Sequence, residues 1–144
     1  MPNGAGWLSL LGFLGLAVAA DAQTPLSQPA GPQFDGTYAF VSSTKLTEMF
    51  TVASTGRMRP CPDREAGPLT IVKGQLKFSS VSSSSVRAEF EGMVGSQGEL
   101  AMRSVNPASD ETAERLLNGR IDGTGMVRAR LTGKYCTYDF VWRK

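Results

Sequence analysis

The chain contains no histidine, which removes the commonest general base and the commonest metal ligand together. Serine–histidine and cysteine–histidine catalysis are thereby excluded, and the serine run Ser82–Ser85 reads as a solvated connection without a base or a nucleophile elbow. Two cysteines with no histidine do not complete a zinc sphere, so neither a metal nor any other cofactor is expected. Charge is nearly balanced, at +2 formally. That is well short of the clustered basic face of a nucleic-acid binder. Long hydrophobic runs are also lacking: the apolar stretch Trp7 to Ala20 falls short of the ~20 residues that a helix needs to cross a bilayer.

That stretch is followed by Ala20-Asp21-Ala22, small residues at the two positions a signal peptidase reads, so residues 1–22 are expected to be a signal peptide. Residues 1–6 carry no Lys or Arg, which departs from the usual leader and leaves the translation start open. Residues 23–33 hold three prolines and a glycine without apolar period, and read as a flexible Pro-rich tether. A single β domain is expected over 34–144, in a periplasmic or secreted location. No cysteine near the cleavage region offers a lipid anchor, and no stable membrane anchor is expected.

An even pair of cysteines in an exported chain implies a disulfide between Cys61 and Cys136, two buried free thiols being the alternative. Period-2 alternation dominates the rest. Phe34 to Phe40, Thr47 to Ser54 and Val86 to Val94 read as strands. Leu69–Val72 and Gln75–Phe78 form a hairpin across Lys73-Gly74. Glu99 to Ser104, Gly125 to Thr132 and Lys134 to Arg143 complete the set, with Cys136, Tyr138, Phe140 and Trp142 on one face. Gly56 to Pro68 reads as a long loop, and Asn106 to Asn118 as one short helix capped by Ser109 and ended by Asn118-Gly119. The fold class is therefore all-β: an antiparallel meander of about eight strands, closed or nearly closed into a small barrel, with an open two-layer sandwich as the alternative.

Paired carboxylates would be the remaining catalytic option, but Glu48 is expected to face outward, and Glu89, Glu91 and Asp139 lie opposite core positions. An enzyme is not expected, and no catalytic residue is assigned. Charge, rigidity and a covalent staple coincide in one place, Arg57-Met-Arg-Pro-Cys-Pro-Asp-Arg-Glu65, where Arg57, Arg59 and Arg64 form a candidate partner-binding loop for an acidic protein. The rival reading is small-molecule binding inside the barrel. Tyr38, Phe40, Phe50, Phe78, Phe90, Tyr138, Phe140 and Trp142 are candidates for its inward face, enough to fill most of the space and leave a narrow site at one mouth.

Phe34-Asp-Gly-Thr-Tyr38, Cys61-Pro, Gly67-Pro-Leu-Thr-Ile71, Phe90-Glu-Gly92, Ile121-Asp-Gly123 and Cys136-Thr-Tyr-Asp-Phe140 with Trp142 span nearly all of the mature chain. In this arrangement the chain resembles small exported proteins of unknown function that are frequent in α-proteobacteria. The resemblance implies a periplasmic or secreted location and brings no reaction, cofactor or catalytic residue with it. The expected function is a non-enzymatic binding or interaction domain. The alternatives are a carrier of a small apolar ligand at a barrel mouth and a periplasmic inhibitor of a hydrolase or protease.

Overall fold

A computed structural model describes residues 28–105 and 115–144. Eleven strands follow in chain order: β1 (Gly36–Lys45), β2 (Met49–Thr51), β3 (Met58–Pro60), β4 (Arg64–Ala66), β5 (Leu69–Val72), β6 (Gln75–Ser82), β7 (Arg87–Val94), β8 (Glu99–Ser104), β9 (Leu116–Ile121), β10 (Met126–Thr132) and β11 (Thr137–Arg143). Every pairing is antiparallel, in the order β5-β1-β11-β10-β9-β8-β7, and β6 closes the ring by pairing with both β5 and β7. The result is an eight-stave up-and-down barrel, which leaves no stave at an open edge. β4 and β5 act as one stave, because both lie on the same side of β6 and the Gly67 amide still donates to the Ser79 carbonyl where Pro68 interrupts the strand.

The expected number of staves is met, but with different members. Thr47 to Ser54 contributes only β2, which stands outside the barrel, and the expected loop Gly56 to Pro68 contains both β3 and β4. The missing stave is β9, whose Leu116 and Leu117 are expected to close a helix. They instead face opposite sides of a strand, with Leu116 exposed and Leu117 fully buried. Gly119 reads as a helix stop, yet it lies where the staves press together: a Cβ there would come within 2.3 Å of the Arg128 carbonyl oxygen. The remainder of the expected helix, 106–114, lies outside the described residues, as does the expected signal peptide. Between β5 and β6, Lys73 and Gly74 both take positive φ, 50° and 76°, the backbone that a two-residue hairpin matched to strand twist requires.

Residues 28–33, expected as the end of a tether, run along one end of the barrel. Ala30 donates to the Val94 carbonyl, Ser96 donates to that of Gln28, and Pro32–Phe34 forms a 3₁₀ turn whose Phe34 carbonyl accepts from the Tyr38 hydroxyl at 2.8 Å. The Asp35 carboxylate then accepts from the Lys73 and Gly74 amides, tying this segment to the β5–β6 turn.

Seven of the eight rings expected inside the barrel are there or packed against its core, the exception being Phe50. Phe78 stacks on Phe90 at 4.7 Å, and Trp142 meets Phe78, Phe40 and Phe140 edge-on or tilted. The indole N–H of Trp142 donates to the Gly67 carbonyl, so the bend between β4 and β5 is satisfied from within. These rings, with Leu69, Ile71, Leu76, Val94, Leu117, Val127 and Leu131, fill this part of the interior. Towards the opposite mouth the lining turns polar, with Arg64, Ser80, Ser82 and Arg115 all buried.

On the outer wall Arg130 and Asp139 face each other across β10 and β11 and form two parallel bonds of 2.7 and 2.9 Å. This pairing holds the Asp139 carboxyl below the ordinary 3.8. A carboxyl with a depressed folded pKa stabilises the fold above its ordinary value, and loses that contribution as pH falls through the folded one. Asp139→Asn is therefore expected to flatten the acid limb of a melting-temperature curve below about pH 4. An acid limb indistinguishable from the native one would show that the pair contributes nothing.

Candidate interaction site

β2 and β3 form a two-stranded sheet of their own, at the barrel end that carries the polar interior. Several contacts fix the base of this hairpin. Cys61, directly after β3, is bonded to Cys136 ahead of β11, with Cα atoms 5.8 Å apart, and its amide donates to the Glu48 carbonyl. The Lys45 ammonium donates to the Cys61 carbonyl and to Asp63, at 3.1 and 2.9 Å. The hydrogen bond to Asp63 is the main cause of an upward pKa shift at Lys45, which keeps it charged. Phe50 stacks on Tyr135 at 4.8 Å, and the Tyr138 hydroxyl donates to the Pro62 carbonyl at 2.7 Å. Burial raises the Tyr138 pKa, partly offset by the positive charges of Arg64 and Arg115, so the phenol stays neutral and can donate.

The three arginines expected to act together are separated. Arg57 and Arg59 are exposed on the hairpin, whereas Arg64, at the start of β4, points into the barrel with 1% of its surface accessible. Its Nη1 donates to Ser80 at 2.8 Å, and its guanidinium lies 5.9 Å from the centre of the Tyr138 ring. Arg64 is therefore corrected from a partner contact to an interior residue. Alternation explains the change: β4 buries Arg64 and Ala66 and exposes Glu65 between them, a pattern hidden when the segment is read as a loop.

Asp63 is engaged by Lys45, so it does not neutralise the hairpin. Among the described residues no carboxylate lies within ion-pair distance of Arg57 or Arg59. The Val52 amide donates to the Arg57 carbonyl and Phe50 lies opposite Arg59, so the two arginines sit two residues apart on one face of the ladder. Met49 and Met58 belong to the other face and, with Leu46 just before β2, leave about half of their surface exposed. The sequence reading missed these side chains and Tyr135. The available signal was the alternation Arg57-Met58-Arg59, which is a strand pattern once the segment is allowed to pair.

Beneath Tyr135 a cavity of about 10 Å³, bounded by Phe50, Pro62, Arg115 and Tyr138 among others, has room for about one water molecule. The acids weighed as catalytic pairs are dispersed over the surface. Glu48 is exposed beside Lys45, Glu89 is bonded to Arg87, and Glu91 to Lys77. Among the described residues no cluster of three or more acids, cysteines or histidines is placed to hold a metal ion. No protein-family model, curated protein or solved structure matches the chain.

Proposed function

We propose that this chain is an exported, non-enzymatic interaction domain that presents the β2–β3 hairpin to an acidic protein surface. The observation that carries this reading is the pair Arg57 and Arg59: exposed, unmatched by a nearby carboxylate among the described residues, and held on a hairpin pinned by the Cys61–Cys136 bond. A pre-ordered cationic element loses little conformational freedom on binding, and complementary charge speeds encounter and excludes like-charged partners. The aromatic packing that fills one half of the barrel, with a cavity of only about 10 Å³ at the Tyr135 end, favours surface recognition over carriage of a small ligand inside the barrel. Export to the periplasm or beyond is supported by the leader-like run before Ala20-Asp21-Ala22 and by a disulfide, which persists in oxidising compartments. Among the described residues no helix is long and apolar enough to cross a membrane.

Charge reversal tests the reading directly. The double variant Arg57→Glu, Arg59→Glu, both at exposed positions, is expected to keep the native melting temperature and to lose the proteins that the native chain retains from an exported fraction. Retention of the same set by both chains would remove the hairpin as the binding element.

A further inference from the structure

Cations on the outer wall of the barrel are matched in several places: Lys77 pairs with Glu91, Arg87 with Glu89 and Arg130 with Asp139. Around the β9–β10 turn the matching fails. Arg120 and Arg128 stand directly opposite each other on β9 and β10, both exposed, an arrangement of like charges that destabilises a sheet. Arg143, also exposed, approaches diagonally from β11, since its partner Met126 lies two residues before Arg128. Lys144 follows it, and its amide donates to the Gly125 carbonyl of the same turn. The neighbouring carboxylates are engaged in other contacts. Glu99, opposite Arg120 on β8, accepts from the Gln97 amide, while Arg120 itself reaches the Gln97 carbonyl. One oxygen of Asp122 accepts from the Thr124 hydroxyl and from the Met126 and Thr124 amides, which holds its carboxyl below the ordinary 3.8, and the other lies 4.0 Å from Arg128. Among the described residues no carboxylate lies within ion-pair distance of Arg120 or Arg143.

Two opposed arginines are matched best by a single group that carries more than one negative charge. Directly opposite residues of an antiparallel pair have Cβ atoms about 4.5–5.5 Å apart, so two long side chains reach one group between them. A phosphomonoester brings close to two charges and three acceptor oxygens, which suit guanidinium forks, whereas a phosphodiester or a carboxylate brings one charge. The pair is exposed on the outside of the sheet, with Arg143 and Lys144 beside it, so the fitting ligand is one displayed on a surface among further anions. We infer that the outer wall around the β9–β10 turn docks on a lipid surface bearing phosphomonoester headgroups, one of which Arg120 and Arg128 clasp between them. This face lies at the barrel end crossed by residues 28–33, away from the hairpin of Arg57 and Arg59, and the inference is independent of the acidic-partner reading.

The full disulfide-bonded chain would be sedimented with phosphatidylcholine vesicles doped with phosphatidic acid, a phosphomonoester, or with an equal fraction of phosphatidylglycerol, a phosphodiester. The expected result is tighter binding to phosphatidic acid, weakening as salt is raised. Arg120→Ala and Arg128→Ala should each weaken it about fivefold or more, and should melt no lower than the native chain because each removes one of two opposed like charges. Arg128→Lys keeps the charge without the planar fork, and should lose the preference for phosphatidic acid. The Arg57→Glu, Arg59→Glu variant should bind vesicles as the native chain does. Absence of sedimentation with phosphatidic acid overturns the inference, as does equal binding to the two lipids or binding that survives both alanine changes. Loss of vesicle binding in the hairpin variant overturns it in favour of the hairpin. Release from the vesicles by inorganic phosphate at the concentration of the lipid phosphate overturns it in favour of a free anion. Retention of exported proteins through Arg120 and Arg128 without vesicle binding overturns it in favour of a protein partner.

Discussion

Replacing Cys61 and Cys136 by alanine, singly or together, is expected to lower the melting temperature by roughly 15 °C, the change that a reductant should produce in the native chain. The bridge spans 75 residues, and closing a loop of that size in the unfolded chain is worth roughly 4 kcal/mol on the chain-entropy model, against a total stability of about 5–15 kcal/mol for a domain of this size. The folded state adds a local effect. Cys61 joins the base of the hairpin to the approach to β11, and its buried position is shared with the Lys45, Glu48 and Pro62 contacts. Hydrogen exchange should therefore quicken first at the Val52 and Cys61 amides, which hold the hairpin, and last at the barrel ladder. Thermal melts with and without reductant, followed by circular dichroism, check the first claim. A change of only a few degrees would mean that the barrel closes without help from the bridge.

Trp142→Ala should cost about 3–5 kcal/mol, a large share of the barrel's total stability. The side chain is fully buried at the junction of the Phe40, Phe78 and Phe140 rings, and the packed barrel leaves its neighbours little freedom to collapse into the space. Trp142→Phe separates packing from polarity. It keeps most of the ring volume but leaves the Gly67 carbonyl without the indole N–H, so a loss of about 1–2 kcal/mol is expected, the range of one hydrogen bond plus a small void. Urea denaturation of the two variants measures both. Equal losses for the alanine and phenylalanine variants would show that the hydrogen bond, rather than the ring cluster, organises this end of the core.

Alternation of polar and apolar residues was legible from the residues themselves, because in a strand each side chain has only two directions available. This is how β7, β8, β10 and β11, the Lys73-Gly74 turn and the inward set of rings could be named without coordinates, and how the parity of the cysteines implied a bridge. Tertiary pairing decided what local pattern leaves undetermined. Leu116-Leu117 suits a helix end as well as a strand, and only its place between β8 and β10 makes β9 a stave. In three-residue segments such as β3 and β4 alternation becomes readable only once the pairing partner is known, and β4 turns Arg64 inward against Ser80 and thereby separates it from Arg57 and Arg59. Closure of the ring followed from the number of short-connected strands and the need to remove their edges, but which strands seal it, β1 against β11, rests on contacts far apart along the chain. Short-range preference selects the direction of each side chain. Which strands meet, and which charges remain exposed at the end, is settled only when the whole sheet curls and the buried positions compete for one interior.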